Sequence, residues 1–412
     1  MRVLHVNKFL YRRGGAESYM LDLARLQREA GDDVAFWSMQ HPQNQPDPNE
    51  DVFAPRMELN PPAETWAGRA KAAAGVIYRP SARAGIEQML HRFRPDVVHL
   101  HNIYHQLSPS ILRPVARRGI PMVMTLHDYK LVCPTYQFLD HGEICEACLP
   151  RRFHQATVRR CNQGSLSGSL LATVEVSLHR ALGAYDPIEV LICPSEFMRR
   201  KMLEGGIDAE RLLHVPHFCD VGSIAAATEP GRGVVYGGRL SPEKGVDVLI
   251  RAMVSLPGDV TVDIAGDGPS REDLVRLAAE VGVSDRVRFL GRLATPELHQ
   301  RMREAAAVVV PSRWYENQPM IILEAAAAGR PVIATELGGL PELVRPGETG
   351  WLTPHDDPAA LSAAILEATS DPDRSHRLGQ SARALTLARF EPARHLSELR
   401  AAYAAAAGAQ SR

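Results

Sequence analysis

The 412-residue chain lacks any run approaching the roughly 18 consecutive apolar residues that a membrane-spanning helix needs. A helical membrane protein is therefore not expected. It also lacks net charge: the formal balance is -1, so no overall field calls for nucleic acid or an acidic substrate. Cysteine is sparse, six residues in all, which suits reduced thiols in a cytoplasmic enzyme better than a bridged secreted fold. The N-terminus carries no uninterrupted apolar stretch, because Arg2 and His5 break it, so Met1–Asn7 reads as a first strand and not as a signal segment. What is present is ordinary: 45% hydrophobic and 23% charged residues, at a length that calls for two domains of roughly 200 residues each.

Both halves alternate short apolar runs with amphipathic stretches, the pattern of parallel sheets covered on both faces. In the first half, strands are expected at Val3–Val6, Asp33–Ser38, from Asp96, from Pro121 and from Glu189, with a helix over about Ala16–Ala30. In the second half they are expected from Val234, Val260, Val287, Ala307 and Pro331. These divide the chain into an acceptor-side domain over 1–217, with a cysteine-bearing insertion at about 130–165, a polar Gly-rich linker over 218–233 and a second domain over 234–389. A long Ala-rich helix over 390–412 is expected to cross back onto the first domain. Two doubly wound domains of this kind present the ends of their strands across a shared cleft, where open parallel sheets bind ligands.

The candidate site residues cluster at those strand ends. In Val308-Val-Val-Pro-Ser-Arg-Trp-Tyr-Glu-Asn-Gln-Pro-Met-Ile-Ile-Leu-Glu, Glu316 falls in the loop leaving a strand and Glu324 about two turns into the following helix. The backbone around Asn317, Gln318, Pro319 and Met320 becomes that helix's N-terminus, a ready anion site. In Gly237-Gly-Arg-Leu-Ser-Pro-Glu-Lys-Gly245, Ser241 reads as an N-cap with Pro242 at the first helical position, which puts Lys244 in the first turn. Arg239 and Lys244 then make a phosphate clamp or, failing that, a solvated turn; two cations at a helix start sit poorly with its dipole unless an anion lies between them. Gly14-Gly15 after the first strand lets backbone approach a phosphate, or is a common turn, with Glu17 a first-turn carboxylate beyond it. His127 in Leu126-His127-Asp128 is either a sugar ligand or a loop anchor. Gly338-Gly339 and Gly266-Asp-Gly-Pro269 repeat the strand, glycine turn, helix theme.

Taken together, Gly14-Gly15, His127-Asp128, Gly238-Arg239 with Lys244, Gly266-Asp-Gly-Pro269, Glu316 with Glu324, and Gly338-Gly339 resemble the retaining glycosyltransferases of family 4. The resemblance covers essentially the whole chain and is strongest from Gly237 to Leu352. It implies an α/β GT-B architecture of two facing Rossmann-like, doubly wound domains. It further implies that Arg239 and Lys244 hold a donor diphosphate with help from Gly15, that Glu316 lies by the donor sugar, that Glu324 takes the ribose hydroxyls and that His127 contacts the sugar. The base is expected near Gly291 and Arg292. The family usually needs no divalent metal, since Arg and Lys replace its charge.

Two features stand outside that resemblance. Cys145-Glu-Ala-Cys148, with Cys133 and Cys161 on either side, supplies four thiols for a structural zinc, or else free thiols or a disulfide. Between Glu64 and Arg94, six basic residues (Arg69, Lys71, Arg79, Arg83, Arg92, Arg94) against Glu64 and Glu87 suggest either a solvated face or one that rests on anionic lipid; Trp66 and Ile77 lie nearby, and Arg151-Arg152 and Arg159-Arg160 add to it. The expectation is a retaining transferase that moves a sugar from a nucleotide-diphosphate donor, UDP-linked by preference, to a hydroxyl acceptor. The acceptor is a small molecule, a glycan or a lipid-linked glycan, and the setting is cell-surface polysaccharide, glycolipid or secondary-metabolite synthesis. No catalytic cofactor and no nucleic acid are expected, and peripheral contact with the inner membrane face is. The alternative is a non-catalytic nucleotide-sugar-binding or metal- or redox-sensing protein on the same scaffold.

Overall fold

Short β-branched runs spaced by amphipathic helices form two parallel sheets in the computed structural model, which describes residues 1–58 and 65–410. In chain order the strands are β1 (Arg2–Val6), β2 (Asp33–Trp37), β3 (Val97–Leu100), β4 (Met122–Thr125), β5 (Leu139–Asp140), β6 (Glu143–Ile144), β7 (Val190–Cys193) and β8 (Leu212–His214). The second half adds β9 (Val234–Gly237), β10 (Val262–Ala265), β11 (Val287–Gly291), β12 (Ala307–Val310), β13 (Val332–Thr335) and β14 (Gly350–Thr353). One six-stranded sheet runs β2-β1-β3-β4-β7-β8 and the other β11-β10-β9-β12-β13-β14, while β5 and β6 form a separate antiparallel hairpin. The pairings are parallel throughout both large sheets.

Each sheet reverses its order once. Strand β1 has β2 on one side and β3 on the other, and β9 likewise stands between β10 and β12. Loops that leave neighbouring strands in opposite directions open a crevice at the carboxyl ends, which is where doubly wound sheets take ligands. Both faces of each sheet are covered, so the central strands β3, β4, β7, β12 and β13 are buried at every residue.

The chain divides into one compact unit of residues 1–137, 146–215 and 396–412, and another of 138–145 and 216–395. Residues 218–233, read as a polar linker, are instead packed: Cys219, Val221 and Ile224 join an apolar core of the second unit with Val235, Val308 and Ile322. The hairpin at 138–145 groups with that unit as well, its Phe138 ring 6.0 Å from Tyr315. The last helix, Pro392–Gln410, belongs to the first unit from Leu396 on. There Tyr403 is buried against Gln27 and His99, and Arg400 pairs with Asp32 at 3.1 Å. Strands β8 and β14 and the hairpin had no expectation from sequence, being short and weakly patterned.

Candidate functional site

In the second unit the residues expected to hold a donor come together at the carboxyl ends of β9 and β12, where the strand order reverses. Lys244 Nζ lies 2.6 Å from Glu316 Oε1, and the Ser312 hydroxyl donates to the same oxygen at 2.7 Å. The ammonium also sits 5.0 Å from the centre of the Trp314 ring. Burial alone would raise the Glu316 carboxyl, but the Lys244 charge and the bonds from Lys244 and Ser312 outweigh it and hold the group below its ordinary value. The result is a charged, mostly buried pair held at the mouth of the sheet. Arg239 is exposed on the neighbouring loop, and among the described residues its side chain has no ion-pair partner.

The local build of this loop differs from expectation. Pro242–Lys244 is a 3-10 turn, Ser241 makes no cap bond, and its hydroxyl donates to Glu243 at 2.6 Å instead. The α-helix begins only at Val246, after Gly245 at φ 66, so Lys244 precedes it and is not in its first turn. Freed from the helix, the lysine turns toward Glu316 rather than lying along the helix axis.

Glu324 is also shifted from its expected place. The helix is Met320–Ala327, which puts Glu324 just past one turn and not two, with His299 Nε2 at 4.0 Å. Of Asn317–Met320, Pro319 carries no N–H and cannot donate from its backbone. The Gln318 side chain is spent elsewhere: it accepts from His217 N–H at 2.6 Å and donates to His217 C=O, clamping that segment. The Gln318 side chain is therefore committed within the second unit. Gly291 ends β11 at φ 69 and Arg292 beyond it is exposed.

Two of the glycine turns that repeat the strand, glycine, helix theme are required by packing. Gly338 has φ 62, and a Cβ there would lie 2.2 Å from Glu316 O, while Gly339 N–H donates to that oxygen at 2.7 Å. A Cβ on Gly266 would fall 1.8 Å from Gly238 O. These residues let neighbouring loops pass at backbone contact, and so fix where Glu316 and Arg239 stand. Gly14 and Gly15 differ: a Cβ on Gly15 would meet nothing within 4 Å, and on Gly14 only Glu17 Oε2 at 3.6 Å. Internal packing therefore does not explain Gly14 and Gly15, which open the helix Gly15–Glu29.

In the first unit His127 heads a buried row of polar groups. Its Nε2 is 3.1 Å from His101 Nδ1, His101 Nε2 is 3.0 Å from His5 Nδ1, and His5 Nε2 is 2.6 Å from Gln27 Oε1. Gln27 Nε2 donates to Tyr403 Oη at 3.0 Å, and Tyr403 in turn meets His99 Nδ1 at 2.8 Å, whose Nε2 reaches Thr125 at 2.8 Å. Burial, then the Lys8 charge, pushes His127 down to about 3, and burial brings His5 down to about 4, so both rings are neutral at physiological pH. Beside them the Tyr104 hydroxyl donates to Asp128 at 2.5 Å, and Lys8 Nζ donates to Tyr104 O at 3.2 Å. Burial raises Asp128 and lowers Lys8, the signature of two desolvated charges.

Sequence reasoning found His127 and missed His5, His99, His101, Lys8 and Ser312. A signal existed: His5 and His99 are register partners on β1 and β3, and His101 follows two residues on, so all three fall on one face of the sheet. Single histidines on apolar strands drew no attention one at a time.

The four cysteines read as zinc ligands do not bring their thiols together among the described residues. None of the six is in a disulfide; Cys133 and Cys148 are buried, Cys145 and Cys161 partly so. Among the described residues, the one group of three or more His, Cys, Asp or Glu whose ligand atoms lie within 4.8 Å of one another is His5, His99 and His101. Cys148 instead packs with Phe153, Ala156 and Val176, and Cys161 lies against them, so apolar contacts hold this segment where a metal staple was expected. Of the basic residues expected on one face over 64–94, Lys71 and Arg94 are exposed and three others are engaged within the protein. Arg79 is buried on the carbonyls of Gln106 and Pro55, Arg83 pairs with Glu87 at 3.1 Å and Arg92 with Asp51 at 2.7 Å. Glu64 and the side chains of Trp66 and Arg69 lie outside the described residues.

Two family models match: the glycosyl transferase 4-like domain over residues 14–217 and glycosyl transferases group 1 over 226–385. Glycogen synthase of Mycobacterium tuberculosis strain H37Rv is 32% identical over 298 residues, 71% of this chain but 64% of that protein, so the match spans less than two thirds of the relative's length. Among solved structures, sucrose-phosphate synthase from Thermosynechococcus elongatus superposes with a TM-score of 0.72 at 21% identity, over 98% of both chains. Anabaena HepE, solved in complex with UDP-glucose, gives 0.68 at 19% identity, over 97% of this chain and 98% of that one. The chain belongs to the family 4 glycosyltransferases, with the GT-B fold.

Proposed function

We propose that the protein is a retaining glycosyltransferase that moves a sugar from a nucleoside diphosphate, UDP by preference, to a hydroxyl of an acceptor in carbohydrate biosynthesis. The observation that carries this reading is the Lys244–Glu316 pair at the strand-order reversal, at 2.6 Å, with the exposed Arg239 on the adjoining loop. Departure of the diphosphate breaks the bond from the anomeric carbon to its oxygen and sends the electron pair to the phosphate. Arg239 and Lys244 then meet that charge without a metal ion. Glu316, ionised beside Lys244, accepts from the sugar's hydroxyls, and Glu324 from those of the ribose. The acceptor oxygen bonds to the anomeric carbon on the face the phosphate leaves, and its proton passes to that phosphate. His127, kept neutral by burial, orients the sugar by hydrogen bonding.

The UDP preference draws on Anabaena HepE, which has been solved with UDP-glucose. The acceptor side is read as meeting an anionic membrane peripherally. Calorimetric titration with UDP-, GDP-, ADP- and dTDP-sugars, without added metal, tests the donor assignment. One tight binder is expected, weakened about 10- to 100-fold in Glu324→Ala, which loses a charged hydrogen-bond acceptor. Equal binding by that variant would remove Glu324 from the site, and silence across all four would remove the donor reading.

A further inference from the structure

The helix Leu166–Ala181 buries polar side chains and exposes apolar ones. Ser165 caps it by accepting from Gly168 N–H at 3.1 Å, and its inner face carries Ser169, Thr173, Glu175 and His179 beside the apolar Ala172 and Val176. Ser169 is fully buried and accepts from Asn162 N–H at 3.0 Å; Thr173 donates to Phe153 O at 3.1 Å. Glu175, also fully buried, bonds Lys130 at 2.6 Å, and His179 reaches Ile77 O at 2.9 Å. A surface helix normally turns such groups to water and its leucines to the core.

Here the apolar residues are on the outside. Leu166, Leu170, Val174, Leu178 and Leu182 are 52%, 51%, 42%, 36% and 60% exposed. They recur every four residues, so they form one ridge of adjacent side chains that winds slowly around the helix over about 24 Å at 1.5 Å per residue. Val158, 72% exposed on the adjoining short helix His154–Val158, adds to it. Nothing in the packing of this unit requires the stripe, because the helix is anchored through its other face.

The surrounding charge is mostly positive. From Ala147 to Tyr185 the sequence holds five arginines and one acid, and that acid is Glu175, buried against Lys130. Arg151, Arg152, Arg159 and Arg160 are exposed. Apolar side chains in a line, bordered mainly by cations with the exposed Asp186 at one end, match the boundary of a bilayer with anionic headgroups, where the stripe enters the acyl region and guanidinium groups meet phosphates. A second copy of the chain fits less well, since a two-fold contact would set these arginines against their own counterparts. Among the described residues no helix is long and apolar enough to cross a membrane, so the contact is superficial.

We infer that the outer face of Leu166–Ala181, with Leu182 and Val158, is a docking surface for an anionic membrane. This localises the membrane contact of the proposed function to one face, and it holds or fails on lipid binding alone, whatever sugar is moved.

The test is co-sedimentation of the full chain with vesicles of phosphatidylcholine alone and of phosphatidylcholine containing phosphatidylglycerol. Binding is expected to the anionic vesicles and to weaken with salt. The triple variant Leu170→Ser, Val174→Ser, Leu178→Ser should lose about tenfold or more of that binding, with its thermal midpoint and donor binding unchanged. Arg159→Glu with Arg160→Glu, which leaves the stripe intact, should remove the preference for anionic lipid. Failure of the unmodified chain to bind either vesicle would overturn the inference, as would full binding by both variants. A dimer in solution that the triple variant converts to monomer would assign the stripe to a second copy instead.

Discussion

Lys244 Nζ stands 2.6 Å from Glu316 Oε1, so the cation offered to a diphosphate is already neutralised by a carboxylate 72 residues away in sequence. The Glu316 side chain is 7% exposed and that of Lys244 23%, which makes the pair costly to break from one side. Lys244→Ala should destabilise the protein by roughly 3 kcal/mol, read as the urea midpoint, and lower turnover by about 10²-fold. Adding Glu316→Ala should restore much of the stability and none of the activity. A single variant that kept full turnover would sink the clamp.

The buried Lys130–Glu175 pair sets an acid limit. Burial opposes ionisation of Glu175, but Lys130, with help from His105, brings the carboxyl down from 4.5 to about 2. A depressed carboxyl contributes stability above its unfolded value and loses it as pH falls through the folded one. Denaturation monitored between pH 5 and 3 should therefore show a loss that Glu175→Gln does not share, pH values being about the ordinary carboxylate range. That variant should already be weaker at neutral pH, because Lys130 is left buried and unpaired.

Histidine burial predicts a second pH dependence of opposite origin. His5 is held neutral down to about 4, whereas the unfolded chain takes up its proton near 6.5. Below 6.5 the unfolded state binds more protons, so stability falls as pH falls, at up to about 1.4 kcal/mol per pH unit for such a residue. His5→Gln should flatten the slope of unfolding free energy between 6.5 and the folded value of about 4. An unchanged slope would mean that the ring is protonated in the folded protein.

Gly338→Ala tests whether the glycine turn acts through Glu316. Its φ of 62 and the 2.2 Å approach of a Cβ to Glu316 O leave no room for a methyl group. The variant should fold with a modest loss of about 1–3 kcal/mol, since strain at one residue is of that order. Turnover should drop further than donor affinity, because Glu316 moves while the helix start at Met320 stays.

Most of the second unit was legible because its strands are continuous β-branched runs such as Val308-Val-Val, each followed by a loop of charged residues and glycine. Glu316, Lys244 and Arg239 were found from that placement. The helix start at Val246 was misplaced, since Ser241-Pro242 is an equally good signal for a 3-10 turn. The packing role of Gly338 and Gly266 was not legible, because a turn that approaches backbone and one that approaches phosphate use the same residue. The cysteine spacing promised a metal that the side chains do not gather for. The outward leucines of Leu166–Ala181 were invisible because periodicity reveals that a stripe exists but not which side faces the core.

The row from Gln27 to His127 has a direction. A neutral imidazole carries one hydrogen on two nitrogens, so each ring that gives at one edge must take at the other. With the Gln27 oxygen toward His5, His5 Nε2 gives to it, His101 gives to His5, and His127 gives to His101, which makes Nδ1 of His127 a taker. Turn the Gln27 amide over and every hydrogen along the row changes side. Which nitrogen of residue 127 carries its hydrogen thus depends on which end of the Gln27 amide faces Tyr403, 276 positions later in the chain.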